Sequence, residues 1–502
     1  MRWRSLTLGE QLAAQARRGP GRWAIHCGDQ SLTYGELDER ATRLAHVLRS
    51  RGVGAGDRVA ILMFNRVELV EALFACCRLG AIGVPLNFRL VREEIAHILA
   101  DAEPVVTIAD ETLASRVDDE CLVTGPEYEA ALAAASTEPL DVHVPEDAPA
   151  VILYTSGTTG RAKGAVLTHL GLASNALGAL LALGVWRDDE VWASGLPLAH
   201  IGGFGDLVVY LAVGGTFVSL PSGGFDAATL VDVLERHQVT GCFLVPTQWQ
   251  DVCALPGIRE RRLPLRRAAW GAAPSPMALL ELLAETFPGI EQINAFGQTE
   301  TSGATTLLRG EDAARKMGSV GKPIATVEAR IVDDEMRDVA PGEVGEIVYR
   351  GPCVTPGYWR RPDADAEAFA GGWFHSGDLC RADDEGYIYV AGRKKDMIVS
   401  GGENVFPAEV EDVLARHPLV AEAVVVGVPH ERWGETPCAV IRPADPAAPP
   451  DADELIELCR AHLASYKKPT SVVIVEDLPR NASGKVLKHV LREQMIEGSL
   501  TR

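Results

Sequence analysis

Eleven consecutive residues, Tyr154-Thr155-Ser156-Gly157-Thr158-Thr159-Gly160-Arg161-Ala162-Lys163-Gly164, hold three glycines, four Ser or Thr hydroxyls and one lysine directly after an apolar run. Glycines let backbone N–H groups approach phosphate oxygens, hydroxyls add donors, and an ammonium offsets the charge. The segment is not the G-x-x-x-x-G-K-[ST] loop, because Lys163 is followed by Gly164 and stands at the wrong distance from Gly157. Its density of donors still favours an anion-binding loop over a flexible turn. Further on, the run N-A-F-G-Q-T-E from Asn294 to Glu300 sets an aromatic ring, a hydroxyl and a carboxylate side by side. Asp378 stands in S-G-D, and Lys485 ends N-A-S-G-K. Taken singly these residues have bland readings: Phe296 as core, Glu300 and Lys485 as solvated charges, Asp378 as a turn residue.

The elements that position them follow from periodicity. Thr33 and Glu36 form a T-x-x-E capping box, and Leu37, Ala41, Leu44, Ala45 and Leu48 then recur at helical spacing up to Gly52. Residues 58–63 (RVAILM) read as a buried strand, Val67, Val70, Phe74 and Cys77 as a helix stripe stopped by Gly80, and 81–86 and 104–108 as strands. Strand and helix alternating in steps of this length imply βαβ units and a mainly parallel sheet. The polar, Pro-rich residues 138–149 form a connector. A second series places strands at 150–154, 215–220, 242–245, 267–270 and 292–295. After about Gly321 short strands occur without long helices (328–332, 345–350, 386–390), which predicts a smaller β subdomain. The rest reads as a compact α/β domain with helices at 407–416, 453–464 and 486–495 and strands at 421–428, 437–442 and 471–475.

Composition narrows the function. The 502 residues exceed one ordinary domain. Lys+Arg is 48 against 69 Asp+Glu, a net charge of −21, which disfavours a nucleic-acid surface while allowing a local anion pocket. No apolar signal-peptide core opens the chain, and the longest weakly polar run, 207–220, is too short for a membrane span. The ten cysteines show no metal spacing, so reduced thiols in a cytoplasmic protein are expected.

An ordered set of motifs carries the functional reading. The loop at 154–164, G-A-A-P from Gly271 to Pro274, N-A-F-G-Q-T-E, G-E-V-G-E-I from Gly342 to Ile347, H-S-G-D-L, G-R-K-K-D from Gly392 to Asp396, S-G-G-E-N from Ser400 to Asn404, and P-R-N-A-S-G-K follow one another along the chain. This series resembles the adenylate-forming superfamily, and within it the acyl-CoA synthetases that act on fatty or aryl acids. The resemblance implies an α/β fold: a large N-terminal domain (1–394) of two α/β subdomains plus a small β-barrel-like subdomain, then a small mobile α+β C-terminal cap (395–502), hinged at Lys395. It implies ATP, Mg²⁺ and coenzyme A as partners of a small-molecule carboxylate, with no nucleic acid and no membrane span; monomer and homodimer both stay open.

The resemblance also assigns roles. Thr155, Ser156, Gly157, Thr158, Thr159, Gly160 and Lys163 would cradle phosphates, with Gly271, Ala272, Ala273, Pro274, Asn294, Ala295, Phe296 and Gly297 around adenine. Thr299 would donate to the α-phosphate, and Glu300 with Thr158 would hold the metal. Asp378 would accept from ribose hydroxyls, beside Val390 and Arg393. Lys485 would lie between the substrate carboxylate and the α-phosphate, where a preplaced ammonium stabilises growing charge. Ser400, Gly401, Gly402, Glu403 and Asn404 would line the CoA path.

His200, Ile201, Gly202, Gly203, Trp270, Ala295, Gly297, Ser302 and Gly303 would form the acyl pocket, with His200 lining or gating it. Small residues there predict room for a chain or ring, and the absence of an obvious charge predicts an acid with an apolar body. Ala162 replaces the usual proline of the phosphate loop, leaving a freer backbone. Trp270 either shortens the pocket or packs in the core. The leading reading is ATP-dependent formation of acyl-AMP from a medium-chain fatty or aryl acid and transfer to CoA, releasing AMP and pyrophosphate. Transfer to a carrier protein or amine, activation of nitrite, and an inactive adenylate-binding protein are the alternatives.

Overall fold

A computed structural model describes residues 5–155, 162–222, 224–271, 277–401, 403–480 and 485–498. The calls on Ser156, Gly157, Thr158, Thr159, Gly160, Ala272, Ala273, Pro274 and Gly402 lie outside these described residues. The chain forms two compact units, Met1–Ala329 with Tyr349–Phe374, and Arg330–Val348 with His375–Arg502.

The first unit carries two sheets. The capping box closes as expected: Glu36 N–H donates to Thr33 Oγ1 (3.3 Å) and Thr33 N–H to Glu36 Oε2 (2.8 Å), opening the helix Tyr34–Ser50. The first sheet has six strands in the order Cys121–Val123, Val106–Ala109, Arg58–Leu62, Ile82–Leu86, β1 (Pro149–Thr155) and β2 (Lys163–Thr168). Its first five strands pair in parallel, and β1 with β2 make an antiparallel hairpin. This hairpin pairs Thr155 with Lys163 at the last described positions of the two strands.

The second sheet has nine strands. At its centre lie β3 (Val191–Ser194), β4 (Gly241–Phe243), β5 (Arg267–Gly271), β6 (Glu291–Gln298) and β7 (Gly303–Leu308). β3 to β6 run parallel, and β7 turns back antiparallel on β6. The helix α1 (Ile201–Val213) follows β3. Alternation along each buried strand splits its side chains between two cores. Trp192, Phe243, Ala269 and Ile293 belong to one core, with Phe204 and Leu207 of α1. Ala193, Cys242, Ala268 and Trp270 belong to the other, with Trp249 and Leu283.

The second unit holds most of a four-stranded sheet in the order Glu328–Val332, Gly345–Arg350, β8 (Phe374–Ala382) and β9 (Ile388–Arg393). A five-stranded sheet after it has Val420–His430 and Gly434–Pro443 at its heart. Val425 and Ala439 pack against the helices Pro407–Leu414 and Ala452–His462, whereas Val424, Val426 and Val440 face Leu491 of the helix Lys488–Ile496. The α/β class read from the sequence is that of the structure, and its two compact units are a larger and a smaller one. Among the described residues no helix is long and apolar enough to cross a membrane.

Candidate functional site

The first unit brings the phosphate hairpin to the Thr-Glu turn through a residue to which no motif points. Thr299–Thr301 form a single 3-10 turn after β6. Asn175 braces it by donating from Nδ2 to the carbonyls of Thr301 (3.1 Å) and Ala304 (2.8 Å). Glu300 is 8% exposed, and its Oε1 accepts from the Tyr358 hydroxyl at 2.9 Å. The Tyr358 ring lies 5.5 Å from Lys163 Nζ, within cation–π range. Tyr358 is fixed in turn by Asp365, which accepts from its N–H (2.7 Å), and by an antiparallel bridge to Ala165 of β2. Burial, then the Glu300 carboxylate, pushes the Tyr358 phenol far above its ordinary value, so it stays a donor at neutral pH. Lys163 and Glu300 are thus joined about one ring, and Thr299, half-buried, opens the same turn.

One Glu300 oxygen is occupied by Tyr358, and a carboxylate has a second. Among the described residues no group of three or more His, Cys, Asp or Glu is arranged to hold a metal ion. A single buried carboxylate suits Mg²⁺, which binds through one or two carboxylates plus phosphate oxygens and water. Glu300 therefore fits a metal that enters with ATP.

β6 separates its neighbours by face. Ile293 and Ala295 lie with Ala269 and Gly271, while Asn294 pairs in register with Trp270 on the opposite face. Asn294 Nδ2 donates to the Ser319 carbonyl (3.0 Å), and Phe296 is half-buried outside both cores. Trp270 is 1% exposed in the second core, so of its two expected placements the structure takes core packing. Its Nε1 has no hydrogen-bond partner among the described residues.

His200 caps the start of α1. Arg89 N–H donates to Asn87 Oδ1 (2.9 Å), which turns the Asn87 NH₂ toward His200 Nε2 at 3.0 Å, so that nitrogen accepts. The loop before it is held by Asn65, which accepts from Leu198 N–H (2.8 Å) and donates to the Leu196 and Leu220 carbonyls. Ile201 packs partly on the first core. The expectation that small residues mean room is corrected at two glycines. A Cβ on Gly203 would lie 2.4 Å from the Pro197 carbonyl oxygen, and one on Gly297 2.1 Å from the Gly303 carbonyl oxygen. These are places where backbones meet. Gly202 faces only the end of the Leu196 side chain, at 2.6 Å. Ser302 is 2% exposed with φ 59°, its hydroxyl donating to the Cys353 carbonyl (2.7 Å), and Gly303 has φ 131°. Both shape the turn into β7.

The second unit assembles the S-G-D bend around a buried carboxylate. Asp378 lies inside β8, paired in register with Arg393 of β9, and not in a turn. Arg393 Nε is 2.6 Å from Asp378 Oδ1, and Asp378 is 4% exposed. Glu346, also outside the expected set, accepts from Gly377 N–H (3.0 Å), lies 3.1 Å from His375 Nδ1, and pairs with Lys394 at 3.3 Å. Asp334 first, with Glu346, raises the Lys394 pKa. Val390 is 37% exposed on β9. Lys395 is exposed on the 3-10 turn Lys394–Asp396.

Ile398–Ser400 and Glu403–Val405 make a hairpin, with Ser400 buried and Glu403 and Asn404 exposed. Gly401 has φ 61°, and its N–H donates to the Trp433 carbonyl (2.8 Å). Lys485 is exposed at the base of a loop closed by the Arg480–Val486 bridge and the Leu487 N–H to Pro479 carbonyl bond (2.8 Å).

A lysine of the β1–β2 hairpin joined to a Thr-Glu turn, and a carboxylate–guanidinium pair on neighbouring strands of the second unit, are the equipment of a nucleotide-activating enzyme. The family profile described as "AMP-binding enzyme" matches residues 12–359, and "AMP-binding enzyme C-terminal domain" matches 409–485. The chain belongs to the AMP-binding enzyme family. It is 41% identical to a feruloyl-CoA synthase of Amycolatopsis sp over 98% of this chain and 99% of that one. It is 37% identical to the indoleacetate–CoA ligase of Aromatoleum aromaticum, covering 97% and 98%. Its fold matches the o-succinylbenzoate CoA synthetase of Bacillus subtilis in complex with its acyl-adenylate intermediate at TM-score 0.87 and 34% identity, covering 96% of this chain and 97% of that one. The same enzyme has been solved with ATP and a magnesium ion.

Proposed function

We propose that this chain activates an aryl acid and delivers it to coenzyme A. The chain is an AMP-forming acid–thiol ligase that uses ATP, Mg²⁺ and CoA. The aryl preference is the finer reading, supported by the feruloyl-, indoleacetate- and o-succinylbenzoate-specific relatives, each named for an acid that carries a ring. The observation that carries the nucleotide chemistry is the joining of Lys163 and Glu300 about Tyr358.

In the first half-reaction the substrate carboxylate attacks the α-phosphorus of ATP, giving acyl-AMP and pyrophosphate. No protein nucleophile is needed, so the side chains act by alignment and charge. Lys163 binds phosphate oxygens, Thr299 donates to the α-phosphate, Asp378 accepts from the ribose and Arg393 holds Asp378 in place. Glu300 would hold Mg²⁺, which would supply neutralisation of phosphate charge. Lys485 stabilises the charge that grows on the bridging oxygens. In the second half-reaction the CoA thiol attacks the acyl carbonyl along the Ser400–Asn404 hairpin and AMP leaves, after the C-terminal domain has turned about Lys395. Ten free thiols suit the reducing cytoplasm.

The test is pyrophosphate release over short, medium, long and aryl acids, with and without CoA. Aryl acids are expected to give the fastest release, and acyl-CoA with AMP only when CoA is present. Fastest release with aliphatic acids overturns the aryl reading, and acid-dependent release without acyl-CoA formation overturns CoA as acceptor.

A further inference from the structure

α1 turns one stripe toward the sheet: Gly202, Gly205, Asp206 and Val209, at i, i+3, i+4 and i+7. Across from it, Ser194, Phe243, Ala269 and Ile293 stand in one register row over β3, β4, β5 and β6. The two glycines withdraw side-chain bulk from this face. A Cβ on Gly205 would sit in ordinary van der Waals contact, 3.8 Å from Ile201 Cδ1 and 3.9 Å from the Ser302 carbonyl oxygen, so here, unlike at Gly203 and Gly297, no backbone is crowded, and Gly205 is only half-buried. Asp206, next along the helix, is half-buried too, and Trp192 Nε1 donates to its Oδ2 at 3.3 Å. The Trp192 ring stacks on Tyr210 one turn further along, at 4.5 Å between centroids. Among the described residues no Lys, Arg or His pairs with Asp206. Burial, only partly offset by hydrogen bonds from Trp192 and Ser194, pushes the carboxyl up to about 7.

A carboxyl held only by neutral donors, with no cation, in an apolar setting costs folding free energy. A ligand group that hydrogen-bonds to it recovers that cost on binding. Six residues separate Asp206 from His200, about 9 Å at a rise of ~1.5 Å per residue. With the reacting carboxylate beside His200, where the acyl-pocket reading puts it, that length spans a ring plus a two- or three-atom tether.

We propose that Asp206 is the specificity residue that recognises a neutral hydrogen-bond donor, a phenolic O–H or an aryl N–H, on the far side of the substrate ring. The proposal rests on the aryl-acid reading above and narrows it to ring-hydroxylated or ring-amino acids. A carboxyl near its midpoint serves such groups in either state: ionised it accepts from the O–H or N–H, and protonated it donates to the phenolic oxygen.

The test uses the full-length enzyme and its Asp206→Ala and Asp206→Asn variants. Pyrophosphate release is followed with 3-(4-hydroxyphenyl)propenoic acid, its 4-amino analogue and 3-phenylpropenoic acid, and KM is taken for each. In the unaltered enzyme the two donor-bearing acids are expected to have KM values about ten-fold or more below that of the plain acid, the size of one hydrogen bond to a charged or partly charged group. Asp206→Ala should collapse that ratio toward one, and Asp206→Asn, which keeps an acceptor, should retain part of it. A ratio unchanged by Asp206→Ala, or equal losses on all three acids, overturns the assignment and leaves the aryl reading standing. Adenylation of aliphatic acids alone overturns the aryl reading itself.

Discussion

Replacing Tyr358 by phenylalanine removes one hydroxyl and keeps the ring. The hydroxyl donates to Glu300 Oε1 at 2.9 Å, and Glu300 is 8% exposed, so water has little access to take its place. A hydrogen bond to a charged group contributes about 1.5–3 kcal/mol. At about 1.36 kcal/mol per decade, the step that needs Glu300 held should slow about ten- to a hundred-fold. The phenylalanine ring would keep its place 5.5 Å from Lys163 Nζ, so the loss is confined to the carboxylate. The assay is acid-dependent pyrophosphate release with CoA omitted, read as kcat/KM for ATP. Transfer of supplied acyl-AMP to CoA serves as the internal control and should be nearly unchanged. Release within two-fold of the unaltered enzyme would refute the reasoning. Equal loss in both half-reactions with a lower melting temperature would mean that the hydroxyl matters for folding and not for positioning.

Other perturbations separate the remaining roles. Lys485→Ala should abolish acyl-AMP formation while sparing thioester formation from supplied acyl-AMP; survival of both half-reactions would remove Lys485 from the chemistry. Lys395→Pro fixes φ on the exposed 3-10 turn and should leave adenylation intact while blocking transfer to CoA, whereas equal loss of both steps would sink the hinge. Trp270→Ala should lower stability to urea by about 3–5 kcal/mol through the cavity it leaves, with the order of acid preference unchanged. A shift of preference toward longer acids at near-normal stability would place the ring in the pocket after all.

Much of the architecture is legible in the sequence because local signals agree with the fold. The capping box at Thr33, the run of β-branched and apolar residues at 58–62 and the glycine stop after Leu79 each fix an element without help from distant residues. The site is less legible where it depends on long-range meetings. Tyr358 reaches Glu300 across 58 positions, and Glu346 reaches Gly377 across 31. Tyr358 has no local pattern to announce it, and Glu346 lies in the G-E-V-G-E-I motif, which says nothing of its partner. Asp378 reads as a turn residue because glycine precedes it, yet the strand pairing with β9 decides its conformation. Trp270 is ambiguous for a different reason: a central parallel strand is buried on both faces, so alternation cannot say which core receives the ring. Asp206 is overlooked because no quoted motif includes it, while the structure sets it on one helix with Gly202 and Gly205.

The division of β6 into two faces bears on how such an enzyme can diversify. Phe296 and Asn294 look one way and Ala295 the other, and the close approach of Gly297 to Gly303 leaves no volume for a side chain at the junction. On the reading proposed for Asp206, drift in substrate preference is channelled to α1, where Gly202, Gly205 and Asp206 can be exchanged without displacing a strand. A library confined to those three positions should retarget the acid while leaving turnover of ATP intact, and one aimed at Gly297 should yield misfolded protein.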